Sequence, residues 1–260
     1  MGHKRYGYVA LAGARGMAMV HETSTGWSAS FNSGPGMNNS IRLSRHQNEI
    51  RVTVCNNDHT IKVYRVPSME KLFTLNMPTA INHTAMSPDG TKMLAASDGG
   101  DVYVYDVQGA GEYKLLATYK ASSEPALSCA WNQSSEIFAV TSQDGFINVW
   151  NIHGEKLCQL GSTEGRKTRR AARAVQFSKG PLDLLAYSEH VSTVNIIDTR
   201  TFKSRQVVRL APSDMDYHIA GMTFSPDNQS LFVALEKSLV ELKVDVSARR
   251  QFPSHRIHLF

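Results

Sequence analysis

One short pattern returns along the chain about every 40 residues, and it limits the possible folds more strongly than any other feature of the sequence. Its clearest copy is Gln-Asp-Gly-Phe-Ile-Asn-Val-Trp-Asn at residues 143–151, a tight polar turn followed by an alternating strand that ends near an aromatic residue. Weaker copies occupy residues 57–64 and 98–106. Repeats of about 40–45 residues are typical of the blades of a β-propeller, in which each blade is a small sheet. The chain is therefore predicted to be all-β.

The position of the aromatic residue allows the repeats to be counted. Equivalent positions recur at intervals of roughly 41–47 residues, and they are Val20, Tyr64, Tyr105, Trp150, Ile197 and Lys243. They predict six repeat units, at approximately residues 1–38, 39–79, 80–123, 124–170, 171–217 and 218–260.

An innermost strand precedes the other strands in every unit except the first. These strands are predicted at residues 39–43, 81–86, 127–131, 174–177 and 219–224. Turns that contain proline, at residues 87–90 and 225–228, join the innermost strand to the next one in two units. We therefore expect one propeller domain of six visible units, the first incomplete, that either closes as it stands or forms part of a seven-bladed ring.

The composition agrees with a globular domain and argues against a membrane protein. The 260 residues are 42% hydrophobic and 20% charged, as in proteins with a large core. The longest apolar runs are far shorter than the ~20 residues of a membrane helix, and residues 1–6 lack the apolar segment of a secretory signal. Three cysteines on separate predicted strands are expected to stay unpaired, which is typical of a reducing compartment. We expect a cytoplasmic and/or nuclear protein that has no membrane contact.

The ends of the repeats carry a resemblance to a known family. Three of the alternating strands end in Tyr105-Asp106, Trp150-Asn151 and Ile197-Asp198, where the WD-repeat family has Trp-Asp. The chain resembles that family over nearly its whole length, although the Gly-His pair of stronger repeats is missing. The resemblance implies that Asp58 and Asp144 are the turn aspartates that tie a blade together. It also implies a scaffold for protein–protein interactions and not an enzyme.

A narrower resemblance covers roughly 30 residues of the fifth unit. Leu182-Asp183-Leu184-Leu185, followed by the segment 194–200, is similar to a short fungal domain of unknown function that is marked by an Asp-Leu-Leu sequence. The resemblance implies a fungal WD-repeat protein.

The sequence contains no motif that predicts catalysis, a cofactor or a metal. Gly161-Ser-Thr-Glu-Gly165 has Thr where a hydrolase elbow has its nucleophilic Ser, and no Cys-x-x-Cys pair is present. His255 and His258 are a close pair without the further ligands that zinc requires. We therefore predict no enzyme activity, no cofactor and no metal site.

A basic run precedes the innermost strand of the fifth unit. Five of the eight residues at 166–173 are cations, namely Arg166, Lys167, Arg169, Arg170 and Arg173. The net charge of the whole chain is +5, so the rest is close to neutral and offers no wide basic face for nucleic acid. The run is either a solvated loop, a nuclear-import signal or a site for an acidic partner. An alternative function follows from it, that of a nuclear or RNA-associated factor.

The segment Ile197-Asp198-Thr199-Arg200 is the second candidate site. It resembles the end of the hydrophobic-Trp-Asp-x-Arg box by which many WD-repeat proteins dock on the propeller adaptor of cullin-RING ubiquitin ligases. The resemblance implies that Asp198 and Arg200 make the polar contacts, since arginine offers a planar fork that lysine cannot reproduce. Ile197 replaces the Trp, and Asp-x-Arg also closes ordinary strands.

The order of strands in a propeller blade separates the two candidate sites. A loop that enters the innermost strand lies on one face of the ring, and the loop after the third strand lies on the opposite face. We therefore expect the basic run on one face and Asp198 with Arg200 on the other. The sequence predicts a non-enzymatic scaffold with two faces. The resemblance to the docking box implies that it is a substrate receptor or adaptor in a multiprotein complex such as a cullin-RING ubiquitin ligase.

Overall fold

Six antiparallel sheets follow one another along the chain. A computed structural model describes residues 7–108, 112–161, 171–189, 191–212, 215–245 and 247. In this part of the chain each sheet is built from consecutive strands, and each is one blade of a propeller. The prediction of an all-β propeller with six units is confirmed.

The first three blades contain eleven strands. They are β1 (Tyr8–Ala12), β2 (Met17–Glu22) and β3 (Ser28–Asn32) in blade 1, β4 (Asn38–His46), β5 (Glu49–Asn56), β6 (Thr60–Val66) and β7 (Lys71–Asn76) in blade 2, and β8 (Ile81–Met86), β9 (Lys92–Ser97), β10 (Asp101–Val107) and β11 (Tyr113–Lys120) in blade 3.

The last three blades contain eleven more. They are β12 (Ala126–Trp131), β13 (Ile137–Ser142), β14 (Ile147–Asn151) and β15 (Lys156–Leu160) in blade 4, β16 (Ala172–Phe177), β17 (Leu184–Glu189), β18 (Thr193–Asp198) and β19 (Arg205–Arg209) in blade 5, and β20 (Ile219–Phe224), β21 (Ser230–Leu235) and β22 (Leu239–Lys243) in blade 6.

The innermost strands β4, β8, β12, β16 and β20 pack side by side around a central channel. In blades 2 to 5, the second and third strands lie between two neighbouring blades, so both of their faces are covered. In β14, Ile147, Asn148, Val149 and Trp150 are all buried for this reason. The fourth strands lie at the rim, and most residues of β19 are exposed.

Blades 1 and 6 are the two ends of the described ring. Among the described residues, blade 1 has three strands and no innermost one, as the sequence predicted, and β1 packs against β4 of blade 2. Within the described ranges no strand pairing joins blade 1 to blade 6. Val9 and Leu11 on β1 are about half exposed, at 47% and 56%.

One repeat position was predicted incorrectly. Trp150 pairs with Phe138 and Ile197 pairs with Leu185, in each case the second residue of the preceding strand. In blade 6 the equivalent residue, Leu231, pairs with Leu242 and not with Lys243. Leu242 packs against the core, whereas the Lys243 side chain is 74% exposed. Leu231 and Leu242 are 11 positions apart, whereas the paired residues of blades 4 and 5 are 12 apart, so the hairpin of blade 6 is one residue shorter and the packed position is shifted by one.

Candidate functional site

The two ends of the strands define two faces of the propeller. The lower face carries the turns between the first and second strands of the blades, such as the turn after β8 that includes Ser87 and Pro88. The upper face is the opposite one. In blade 5, Ala172 at the start of β16 pairs with Glu189, while Phe177 at its end pairs with Leu185, which pairs in turn with Ile197. The start of β16 therefore lies on the upper face, and Asp198 lies on the lower face.

Asp198 and Arg200 pair with each other at the turn between β18 and β19. Arg200 Nε lies 2.9 Å from Asp198 Oδ1, and Arg200 Nη2 lies 2.7 Å from Asp198 Oδ2. The backbone N–H of Arg200 also donates to Asp198 Oδ1, at 3.0 Å. The hydrogen bond with Asp198 raises the pKa of Arg200, and the two side chains are only 17% and 11% exposed. This bidentate pair gives the turn a fixed shape.

The backbone of the same turn is closed by two further hydrogen bonds. The Phe202 N–H donates to the Asp198 carbonyl at 2.7 Å, and the Asp198 N–H donates to the Ser204 carbonyl at 3.1 Å. The Asp198–Arg200 turn, from Asp198 to Ser204, is thus held by both backbone and side-chain bonds.

The basic run lies largely outside the described residues. Of its five cations, the structure places only Arg173, which is exposed on β16 near the upper face. The other four, Arg166, Lys167, Arg169 and Arg170, fall in the segment that is not described. Arg173 and Asp198 lie toward opposite ends of blade 5.

The turn aspartates Asp58 and Asp144 each accept hydrogen bonds within their own turn. Asp58 Oδ1 accepts from the Thr60 N–H at 3.1 Å, and Asp58 Oδ2 lies 2.9 Å from Lys62 Nζ. Burial alone would raise the pKa of Asp58, but the hydrogen bonds from Thr60 and Lys62 outweigh it and lower the pKa.

Asp144 reaches beyond its own turn. Its Oδ1 accepts from the Phe146 N–H at 3.0 Å, and its Oδ2 accepts from the Ser122 hydroxyl at 2.6 Å. Ser122 belongs to the segment that connects β11 of blade 3 to β12 of blade 4. This carboxylate therefore ties a turn of blade 4 to the connection between two blades.

Blade 5 has a different polar network at the corresponding turn. The Asn195 side-chain amide donates to Glu189 Oε1 at 3.2 Å, and Arg205 Nε donates to Asn195 Oδ1 at 2.8 Å. Arg205 Nη2 lies 3.3 Å from Glu189 Oε1. Three side chains from three neighbouring strands thus replace the single turn aspartate.

A cavity of about 510 Å³ opens on the lower face, at the mouth of the central channel. Its walls come from the innermost strands of blades 2, 3, 4 and 5 and from the turns that follow them. The lining includes Arg42, Arg45, His83 and Lys179. No local pattern in the sequence predicted this cavity, because its residues are up to 137 positions apart. The one available signal was a cation, Arg42, inside a predicted innermost strand.

In the described ranges no group of three or more His, Cys, Asp or Glu side chains is arranged to hold a metal ion. His255 and His258 lie outside those ranges. No helix in the described part of the chain has the length and apolar character needed to cross a membrane.

Comparison with known proteins identifies the family. A model of the WD domain, G-beta repeat, matches residues 69–106 and 113–151. A model of an uncharacterised protein domain, DUF2415, matches residues 170–209, where the sequence resembled a fungal domain with an Asp-Leu-Leu motif. The prediction of both resemblances is confirmed.

Individual relatives and a solved structure agree with the family models. An uncharacterized protein of Schizosaccharomyces pombe is 32% identical over 233 residues, which are 85% of this chain and 67% of the relative. Eukaryotic translation initiation factor 3 subunit I of Candida albicans is 22% identical over 64% of this chain and 51% of its own length. In the crystal structure of the mitotic checkpoint complex, one chain matches with a TM-score of 0.76 at 16% sequence identity, over 92% of this chain and 73% of that one. With these matches and the six-bladed architecture, the chain belongs to the WD-repeat family of β-propeller proteins.

Proposed function

We propose that the protein is a non-enzymatic scaffold that docks on the adaptor of a cullin-RING ubiquitin ligase through the Asp198–Arg200 turn. The observation that carries this proposal is the bidentate ion pair between Asp198 and Arg200, which holds the turn in one shape on the lower face. A docking element that is already ordered loses little conformational entropy when a partner binds.

The family supports the role of a scaffold. WD-repeat propellers generally bind other proteins and typically do not catalyse reactions. Two of the similar proteins belong to assemblies by their names, one as a subunit of a translation initiation factor and one as part of the mitotic checkpoint complex. The chain spans about half of the Candida relative, so the activity of that protein is carried over here only as a proposal.

The upper face would serve a second partner. Arg173 is exposed there, and the rest of the basic run precedes it in the sequence. We propose that the run contacts an acidic surface or acts as an import signal, in a protein that is cytoplasmic and/or nuclear. A second candidate function is that of a nuclear or RNA-associated factor that uses residues 166–173, and the similarity to a translation initiation factor subunit favours it.

Affinity purification from fungal cells tests these roles. The tagged wild-type protein should recover cullin and adaptor subunits, and the Asp198→Ala, Arg200→Ala double variant should recover at least about tenfold less of them, because it loses the bidentate pair that holds the turn in one shape before binding. Recovery is measured by quantitative mass spectrometry.

The chain offers a matched control in blade 2. Arg65 and Glu70 form an ion pair at the corresponding turn, between β6 and β7, on the same face. The Arg65→Ala, Glu70→Ala variant should keep wild-type recovery. If the adaptor is absent from the wild-type sample, or survives in the Asp198, Arg200 variant, docking through this turn is wrong. RNA that is recovered with the wild type and lost when Arg166, Lys167, Arg169 and Arg170 are changed to Gln would favour the second candidate.

A further inference from the structure

The cavity on the lower face concentrates positive charge. Arg42 and Arg45 project from β4 of blade 2, and Lys179 follows β16 of blade 5 on the other side of the channel mouth. No Asp or Glu is among the residues that line the cavity. Cations from two separated blades therefore face one space with no acidic residue in its walls.

These cations have no acidic partner in the described structure. In the ranges that the structure describes, no carboxylate lies within ion-pair distance of Arg42, Arg45 or Lys179. Other arginines near the strand ends, such as Arg51 and Arg200, do have such partners. The positive charge of the three cations in the cavity is therefore not offset by a neighbouring carboxylate among the described residues.

Arg42, Arg45 and Lys179 are all exposed, so each of them is accessible from the cavity. The protein around Arg42 also desolvates its guanidinium in part and lowers its pKa. An anion in the cavity would recover the solvation that Arg42 has lost. This gain is largest where the surroundings have a low dielectric constant.

His83 orients the guanidinium of Arg42. Arg42 Nη2 contacts His83 Nε2, and a guanidinium can only donate, so Nε2 is the acceptor. On the other side of the ring, Nδ1 lies 3.4 Å from Cys129 Sγ and 3.3 Å from the backbone nitrogen of Cys129. Burial, followed by the charge of Arg42, lowers the pKa of His83 to about 3, so the ring is neutral at physiological pH. His83 therefore positions Arg42 without adding a charge of its own.

A buried hydroxyl group in the same lining is also unused. Ser44 lies two residues after Arg42 on β4, so the two side chains are on the same side of the strand. Ser44 Oγ is buried and has no hydrogen-bond partner within the part of the chain that the structure describes. Buried polar atoms in native proteins are nearly always bonded, so this hydroxyl can supply a donor to an anion bound in the cavity.

We propose that this cavity binds a small, multiply charged phosphate compound, with Arg42 as the main anchor, Ser44 as a hydrogen-bond donor, and Arg45 and Lys179 as the rim. A volume of about 510 Å³ suits a small molecule. Arginine binds phosphate through parallel N–H bonds, and lysine adds a point charge. The site is independent of the Asp198–Arg200 turn, although both lie on the lower face.

Isothermal titration calorimetry with inorganic tripolyphosphate tests the proposal on the full chain. At about 50 mM salt, where screening is weak, the wild type should bind one tripolyphosphate per protein. Arg42→Gln should weaken binding about 10- to 100-fold, as expected for the loss of charge-assisted hydrogen bonds. The affinity of Arg42→Lys for tripolyphosphate should lie between those of the wild type and Arg42→Gln, since lysine keeps the charge and lacks the planar fork of arginine.

Two controls separate the cavity from the other cations of the chain. Lys114→Gln, on the exposed strand β11, should bind like the wild type, whereas Lys179→Gln should bind more weakly. A variant with Arg166, Lys167, Arg169 and Arg170 changed to Gln should also bind like the wild type. If that variant loses binding, or if the wild type binds no tripolyphosphate, the proposal is overturned.

Circular dichroism and thermal melting check that each variant folds. If Arg42→Gln does not fold, the Arg45→Gln, Lys179→Gln variant carries the test, because both residues are exposed at the rim. Unchanged binding in that double variant would contradict a site at the channel mouth. Neither variant touches Asp198 or Arg200, so the result is separate from the adaptor experiment.

Discussion

Blades 4 and 5 share strand order and strand number, but they are held together by different interactions. In blade 4, Trp150 stacks on Phe138 with ring centroids 5.4 Å apart, and Tyr119 from blade 3 lies 6.2 Å from the same indole ring. In blade 5 the equivalent residue is the buried Ile197, and the residue paired with it on β17 is Leu185, which is aliphatic. The backbone arrangement is thus kept when the aromatic stack is replaced by an aliphatic contact.

The polar contacts of the two blades differ in the same way. Asp144 of blade 4 ties its turn to the connection from blade 3, whereas blade 5 uses Glu189, Asn195 and Arg205 within its own sheet. Blade 5 also carries the Asp198–Arg200 turn. The difference teaches that the regular copy of the repeat stabilises the ring, while the divergent copy places charged groups at its surface.

The largest expected effect is on the free energy of unfolding, and it distinguishes the core of blade 4 from the core of blade 5. Trp150→Ala should lower the free energy of unfolding by about 3–5 kcal/mol, because it removes a buried ring and its stacking partners. Ile197→Ala should cost less, about 2–4 kcal/mol, since the side chain is smaller. Urea unfolding followed by circular dichroism measures both values. A larger loss at Ile197 would show that the aromatic stack does not distinguish blade 4.

A smaller effect is expected from the polar contacts. Asp144→Ala should cost about 1–2 kcal/mol, because the Ser122 hydroxyl and the Phe146 N–H both lose their acceptor. Arg205→Ala, whose side chain is 33% exposed, should cost less than about 1 kcal/mol after screening by solvent. The cost of Arg205→Ala should also shrink in high salt. If Asp144→Ala and Arg205→Ala lower the free energy of unfolding equally in low salt, the polar contacts of the two blades do not differ in strength as proposed.

The smallest effect concerns pH and the turn aspartate of blade 2. The pKa of Asp58 is lowered in the folded protein, so its ionised form contributes stability that is complete above the unfolded pKa of ~3.9. That stability is lost as the pH falls through the folded pKa. The difference in unfolding free energy between wild type and Asp58→Asn should therefore narrow between about pH 5 and pH 2. A constant difference over this range would mean that the carboxylate charge does not matter.

The strands could be predicted from the sequence because alternation and turn residues are local features of the chain. Alternation and turn residues predicted the innermost strands at residues 81–86 and 219–224, and these agree with β8 and β20. The same reasoning failed at Lys243, which was predicted to be the packed residue near the end of its strand but is exposed. The hairpin of blade 6 is one residue shorter, so Leu242 occupies the packed position.

How well each candidate site could be predicted depended on how close its residues are in the sequence. Asp198 and Arg200 are two residues apart, so their shared turn was visible in the sequence, although their bond to each other was not. Arg42 and Lys179 come from blades 2 and 5 and meet only when the ring forms. No local pattern encodes a cavity of this kind.

Because every described sheet consists of consecutive strands, the chain can assemble in the order in which it is synthesised. Each blade needs only about 40 residues to complete its hydrogen bonds, and then only the next blade to cover its exposed face. A ribosome would release the blades one after another, and most contacts would form between segments that emerge close together in time. The cationic mouth of the channel is the exception, since it cannot exist until blade 5 has joined blade 2.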